Sequence, residues 1–336
     1  MGQVRVGING AFGSIGRRFL RASLGHPAVR VVAVNDLGDP AAGSHYLKYD
    51  SNFGVLDREV RYDDGRLYFD GQSVAITAHR NPEDIPWAQL GVDIVIEATG
   101  FFTDGNKARG HLQGGAKKVI ISAPAEHDDV TLVMGVNEQR YRPDRDHIIS
   151  NASCTTNCLA PVAKVLDEHF GIAAGVMTTA HSYTNDQRLL DLAHRDLRKG
   201  RAAADNIIPT STGAAKALHR VLPQLEGKLH GIALRVPTPV VSVVDLAFTT
   251  ERAVSVDALN AAFREAAAGP LGHYLAVSDL PLVSSDFKGD PHSATVDLPL
   301  TMVVGGLAKV IAWYDNEWGY SNRLVELAQY IAEQGL

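Results

Sequence analysis

Val4-Arg5-Val6-Gly7-Ile8 reads as a short apolar strand, and Arg17-Arg18-Phe19-Leu20-Arg21-Ala22-Ser23-Leu24 spaces its apolar residues as a helix does. Between them lies the glycine-rich stretch Asn9-Gly10-Ala11-Phe12-Gly13-Ser14-Ile15-Gly16. A strand that turns through glycine straight into a helix constrains the fold more than any other local feature of this chain. It starts a parallel strand–helix–strand unit. Gly13 lets an anionic group approach the backbone at the helix N-terminus, and Gly16 lets the helix pack closely on the strand.

The next strand, Val31-Val32-Ala33-Val34-Asn35-Asp36, ends in an acid 20 residues after Gly16. A carboxylate at that point binds the ribose hydroxyls of an adenine dinucleotide and repels a 2′-phosphate. Glycine turn and acid together predict a Rossmann unit that favours NAD, with NADP use not excluded. The usual G-x-G-x-x-G spacing is met at Gly13 and Gly16, whereas Ala11 falls at the first glycine and Gly10 stands one place early. Three more strands follow the same pattern. Asp93-Ile94-Val95-Ile96-Glu97-Ala98 leads into Thr99-Gly100, Lys118-Val119-Ile120-Ile121 into Ser122, and His147-Ile148-Ile149-Ser150 onward. From Tyr46 to Ile76, charged and apolar residues alternate around Asp64-Gly65 and Asp70-Gly71, the pattern of an inserted antiparallel section.

A chain of 336 residues exceeds one ordinary core, so two domains are expected. The net charge of −6 argues against non-specific nucleic-acid binding. No apolar run approaches a membrane span, and the N-terminus enters a strand without a hydrophobic leader, so a cytoplasmic location is the expectation. The two cysteines, Cys154 and Cys158, fit a reducing compartment and form neither a disulfide framework nor a zinc site.

Both cysteines fall in Ser150-Asn151-Ala152-Ser153-Cys154-Thr155-Thr156-Asn157-Cys158, where a loop becomes a helix running through Leu159 to Leu166, with Pro161 tolerable only in its first turn. Backbone N–H groups and the positive helix end favour a thiolate at Cys154, and Ser153 and Thr155 offer hydroxyls to an anion beside the sulfur. A nucleophilic cysteine competes here with two buried thiols in a capped helix; for Cys158 the packing role is preferred. Beyond it, Ala174 to Ala180 reads as a strand ending at His181, and a long polar loop runs on through Arg201. A helix spans Ala214 to Val221, strands Ile232 to Val236 and Val241 to Phe248, a helix Ala258 to Ala268, a strand Val310 to Tyr314 and a helix Asn322 to Glu333. Arg235 sits in a strand stopped by Pro237 and Pro239, which suits an anion ligand better than a paired core arginine.

Five stretches together resemble phosphorylating glyceraldehyde-3-phosphate dehydrogenases: Ser150 to Cys158, His181-Ser182-Tyr183-Thr184-Asn185-Asp186-Gln187, Pro209-Thr210-Ser211-Thr212-Gly213-Ala214-Ala215-Lys216, Arg235-Val236-Pro237-Thr238-Pro239 and Trp313 to Ser321. The likeness is collinear and covers essentially the whole chain. It implies an α/β chain with an N-terminal Rossmann NAD-binding domain, residues 1–153 with 317–336, and an α+β catalytic domain, 154–316, on a mostly antiparallel sheet. It implies Cys154 as nucleophile and His181 as its base. Thr184 and Arg235 would bind the substrate phosphate; Ser153, Thr155, Thr212 and Gly213 the inorganic phosphate. Phe12, Gly13, Ser14, Ile15, Gly16, Asp36, Arg80, Thr99, Ser122 and Asn316 would hold NAD. The reaction implied is reversible oxidation of glyceraldehyde 3-phosphate to an acyl phosphate through a thiohemiacetal and a thioester. A homotetramer is implied, with the loop from Tyr183 to Asn206 packed on a neighbouring subunit.

Three departures from the family pattern stand out. Ala11 is an additional residue in the glycine turn, and Ser14 replaces an arginine, so an altered cofactor turn and a weaker subunit interface are expected. Leu192-Ala193 takes the place of the Leu-Pro that NAD-specific relatives favour, and Leu192 with Asp36 still tilts toward NAD. The rival readings are an erythrose-4-phosphate dehydrogenase, disfavoured by the His181 to Asp186 context, and a non-catalytic binding protein, disfavoured by intact Cys154, His181, Arg235 and Asn316.

Overall fold

The computed structural model describes residues 2–69 and 71–336. It divides into two compact units: Met1–Leu132, Glu138–Ser153 and Ser321–Leu336 form one, and Val133–Asn137 and Cys154–Tyr320 the other. Two boundary segments go with the second unit. Val133–Asn137 packs with the second unit, where Gly135 lies against the Tyr274 ring and its carbonyl accepts from Lys164 Nζ at 3.0 Å. Residues 317–320 do likewise, because Gly319 sits against the backbone of His292 with no room for a side chain.

The first unit is built on a nine-stranded sheet in the spatial order Val130–Thr131, Ile148–Ser150, Lys118–Ile121, Ile94–Glu97, Val4–Asn9, Val29–Asn35, Gln72–Thr77, Arg66–Phe69, Val60–Asp63. The first seven pair in parallel, and Ile94–Glu97, Lys118–Ile121 and Ile148–Ser150 among them are buried along their whole length, as strands covered on both faces are. The last two add a hairpin turned at Asp64 and Gly65, both with positive φ. The antiparallel section expected between Tyr46 and Ile76 is thus only partly so. Gln72–Thr77 joins the parallel set, and Tyr46 lies in a helix, Pro40–Lys48, started by Asp39 accepting from the Ala41 N–H and by Pro40 in its first turn. The turn proposed at Asp70-Gly71 includes Asp70, which is outside the described residues. Strand order reverses between Val4–Asn9 and Ile94–Glu97, so the loops after them open a crevice at their C-terminal ends.

The second unit carries an eight-stranded sheet, five of whose seven pairings are antiparallel. At its centre Ile172–Ser182 lies between Leu229–Val236, parallel to it, and Ser242–Thr250, antiparallel. The helix Cys154–Phe170 packs on this sheet with Cys158, Leu159, Ala160, Val162 and Ala163 fully buried. Pro161 lies well inside that helix rather than in its first turn. It forfeits one backbone hydrogen bond, and the buried residues on either side hold the helix together regardless. Among the described residues no helix is long and apolar enough to cross a membrane.

Candidate active site

In the first unit the crevice is a cleft of about 630 Å³ whose walls include Phe12, Gly13, Asp36, Arg80 and Thr99. Gly10 turns the chain at φ +84°, and an added Cβ there would meet the Thr99 backbone N at 2.8 Å. Asp36 Oδ2 accepts from the Phe12 N–H at 2.8 Å and Oδ1 from the Gly38 N–H at 2.9 Å. Each oxygen keeps a lone pair for a hydroxyl donor, which suits a ribose diol. The helix Ser14–Ser23 starts behind this turn with no side chain capping it. These features fit an adenine dinucleotide.

Ser14, Ile15 and Gly16 form the helix's first turn and do not line the cleft. Gly16 serves packing, since a Cβ there would fall 2.3 Å from the Gly10 carbonyl oxygen. Ala11 is fully buried, so the additional residue is absorbed into the core beneath the turn. Ser122 ends its strand with its N–H on the Glu97 carbonyl and lies outside the lining. Asn316 belongs to the second unit, where its Oδ1 accepts from Ser242 Oγ at 3.0 Å.

One contact in the cleft was not legible in sequence. The Phe12 ring lies flat on Gly43, within the helix Pro40–Lys48, and a Cβ at Gly43 would come within 2.4 Å of it. Alanine normally improves a helix by about 1 kcal/mol over glycine. Here Gly43→Ala is expected to displace Phe12, disturb its N–H bond to Asp36 and weaken dinucleotide binding roughly 5- to 30-fold, the equivalent of 1–2 kcal/mol of overpacking. Titration of protein fluorescence with NAD measures this; an unchanged dissociation constant would contradict it.

The second unit gathers the reactive groups. The chain leaves the strand Ile148–Ser150, turns through Ala152 at φ +53° and starts a helix at Cys154. Cys154 Sγ stands 3.4 Å from His181 Nε2. His181 ends the central strand and pairs in register with Arg235 on its neighbour. His181 Nδ1 lies 2.6 Å from the Ser182 carbonyl oxygen and 2.9 Å from Arg235 Nη1. With its proton on Nδ1, donated to Ser182, the ring presents a bare Nε2 to the thiol. Burial and the Arg235 charge push His181 down to about 4, so the ring is neutral at neutral pH.

The helix end favours a thiolate at Cys154, and burial opposes it, raising the thiol above the ordinary cysteine value. Arg235, the Thr155 hydroxyl and the Thr155 N–H pull the other way without overcoming it. Arg235 lowers both partners' pKa values. Arg235→Leu is therefore expected to raise both, moving the pH profile of Cys154 alkylation by iodoacetamide to higher pH. A profile that stays in place would contradict this.

Arg235 Nη1 also donates to the Ser182 carbonyl at 2.9 Å and to Thr184 Oγ1 at 3.0 Å, and Thr184 donates onward to Asp186. Arg235 Nε is buried with no hydrogen-bond partner among the described residues, a donor suited to an oxyanion. Thr184 and Arg235 are thus brought together beside the thiol–imidazole pair. Thr212 and Gly213 open the helix Ala214–Val221, with open space around Gly213. Thr155 is turned inward: its hydroxyl meets Tyr314 Oη at 2.9 Å, and Tyr314 Oη also meets Thr179 Oγ1 at 2.9 Å. Ser153 immediately precedes the cysteine and is partly exposed. Cys158 is fully buried, as packing requires. Sequence reasoning gave no role to Tyr314, although it falls in the stretch Trp313 to Ser321, nor to Ser242, which lies within an apolar strand run and carries no motif of its own. Among the described residues no group of three His, Cys, Asp or Glu side chains could hold a metal ion.

A dinucleotide cleft on the parallel sheet of one unit and, in the other, a cysteine–histidine pair beside a half-buried arginine are parts that a nicotinamide-dependent dehydrogenase combines. The profile described as "Glyceraldehyde 3-phosphate dehydrogenase, NAD binding domain" matches residues 4–105, and that of the C-terminal domain matches 153–316. The glyceraldehyde-3-phosphate dehydrogenase of Geobacillus stearothermophilus is 58% identical over 334 residues, spanning 99% of each chain. Glyceraldehyde-3-phosphate dehydrogenase 1 of Bacillus subtilis is 57% identical, again over 99% of both. The chloroplastic glyceraldehyde-3-phosphate dehydrogenase B of Pisum sativum is 57% identical over 99% of this chain and 75% of its own length. The chain belongs to the glyceraldehyde-3-phosphate dehydrogenase family.

Proposed function

We propose that this protein oxidises D-glyceraldehyde 3-phosphate, with inorganic phosphate, to 1,3-bisphosphoglycerate, using NAD. The observation that carries the reading is Cys154 Sγ at 3.4 Å from His181 Nε2, with Arg235 and Thr184 bonded to each other alongside. Phe12, Gly13, Asp36, Arg80 and Thr99 hold the dinucleotide, with Ser14, Ile15 and Gly16 behind the turn and Ser122 at a neighbouring strand end. Bound NAD supplies the hydride acceptor.

The remaining chemistry is the protein's own. An ordinary thiol with a pKa of about 8.5 is about 3% thiolate at neutral pH, and burial lowers that fraction at Cys154. His181 Nε2 offsets this by accepting the thiol proton as sulfur attacks the aldehyde carbon and passing it to the carbonyl oxygen, which becomes the thiohemiacetal hydroxyl. The same nitrogen takes the hydroxyl proton of the thiohemiacetal as its carbon is oxidised. Arg235 and Thr184 fix the substrate phosphate. Inorganic phosphate, held by Ser153, Thr212 and Gly213 beside the inward-turned Thr155, then attacks the thioester and frees Cys154. An oxygen ester would be far less reactive toward phosphate, which explains the choice of cysteine.

The assembly we infer is a homotetramer in the cytoplasm. Leu189, Leu190 and Leu197, each at least 75% exposed on the loop from Tyr183 to Asn206, support a subunit contact there. The test of the chemistry is a single turnover without phosphate. Enzyme, NAD and glyceraldehyde 3-phosphate should give one equivalent of reduced nicotinamide and an acyl mass on the peptide containing Cys154. Sustained turnover without phosphate, or acylation elsewhere, would overturn it.

A further inference from the structure

We propose that Glu97 is a positioning residue for the dinucleotide, the centre of a buried hydrogen-bonded belt that fixes both rims of the cleft at once. Glu97 ends the strand Ile94–Glu97 directly beneath the cleft and is only 2% exposed. Four donors converge on it. Oε1 accepts from the Thr99 N–H at 2.8 Å and from the Thr99 hydroxyl. Oε2 accepts from Asn9 Nδ2 at 2.7 Å and meets His111 Nε2 at 3.0 Å. The last of these is also a donor. Trp87 Nε1, which can only donate, points at His111 Nδ1 at 3.0 Å, so a neutral ring carries its proton on Nε2. Both oxygens therefore act purely as acceptors, and the group is a carboxylate.

The belt continues away from Glu97 in one direction only. Because Asn9 gives its amide nitrogen to Glu97, it turns its Oδ1 to Asn35 Nδ2, at 2.8 Å. Asn35 in turn donates to the His79 carbonyl at 2.9 Å and accepts from the His79 N–H at 2.8 Å. Asn9, Asn35, His79 and Thr99 all line the dinucleotide cleft. One carboxylate thus sets the orientation of two side-chain amides and ties the Thr99 turn on one rim to the His79-Arg80 segment on the other. A buried charge is costly unless fully bonded, and a fully bonded one holds a unique arrangement. This inference rests on NAD binding in that cleft and goes beyond it by assigning a group that does not itself line it.

Glu97→Gln changes one atom. Whichever way its amide turns, the NH₂ faces donors, either those of Thr99 or those of Asn9 and His111. The expected result is an NAD dissociation constant raised roughly 10-fold or more, with KM for NAD rising in step. KM for phosphate and the alkylation rate of Cys154 should stay at wild-type values. His111→Gln, whose amide can still donate to Glu97 and accept from Trp87, should bind NAD nearly as wild type; His111→Phe, which loses that donor, should bind several-fold more weakly. This pair decides the matter if Glu97→Gln does not fold. Wild-type NAD affinity in folded Glu97→Gln, equal affinities in the two His111 variants, or an equal rise in KM for every substrate would overturn the proposal. Failure of the unaltered protein to bind NAD would instead overturn the cofactor reading on which it rests.

Discussion

Cys154→Ser is expected to lower phosphate-dependent turnover by on the order of 10⁴-fold or more, the scale on which removal of a nucleophile acts. The hydroxyl is a far weaker acid and a poorer nucleophile than the thiol, so with His181 as base, 3.4 Å from the sulfur position, its attack on the aldehyde is much slower. An ester formed there would also resist phosphate. Asp36, Phe12 and the glycine turn belong to the other compact unit, so NAD affinity should stay within about 2-fold. Measuring turnover and NAD binding on the same preparation separates lost chemistry from lost structure. Retained turnover would remove Cys154 from the mechanism.

His181→Asn carries the second large effect, a fall in kcat of about 10²- to 10⁴-fold, the range for loss of a general acid–base group. His181 is pushed down to about 4, so its basic form is present above that pH and is lost only as the pH falls through it. Cys154 is raised, so its thiolate fraction grows as pH increases. In the unaltered protein kcat/KM should therefore climb with pH through neutrality, with the acid loss of His181 well below. In His181→Asn the single-turnover burst should slow and Cys154 alkylation at neutral pH should fall. A pH profile that instead declines on passing from weakly acid to neutral solution would show that the imidazolium, not the imidazole, is the working form.

The elements that placed the site were legible because their signals are local. Val4–Asn9, the glycine turn and Asp36 announce a parallel unit through periodicity and spacing, and the cleft forms where those elements end. Cys154, His181, Thr184 and Arg235 were found through their motifs, and the sheet register that aligns His181 with Arg235 brings them together. The missed features depend on contacts distant in sequence. Glu97 looks like the polar end of an apolar strand until Asn9 and His111 are seen on it. Gly43 reads as a weak helix residue until the Phe12 ring is found lying on it. At Cys154 the helix end is visible in sequence, whereas the burial that opposes it is not. Pro161 likewise sits inside a helix because buried neighbours override its local preference.

The most direct test of the central claim is steady-state formation of reduced nicotinamide, followed by absorbance. Glyceraldehyde 3-phosphate and erythrose 4-phosphate are each offered with NAD or NADP, with and without inorganic phosphate. The account predicts turnover that requires phosphate and has its highest kcat/KM with glyceraldehyde 3-phosphate and NAD. Preference for erythrose 4-phosphate would keep the thiol mechanism and contradict the substrate. No turnover of any pair by folded, NAD-binding protein would contradict the catalytic reading itself.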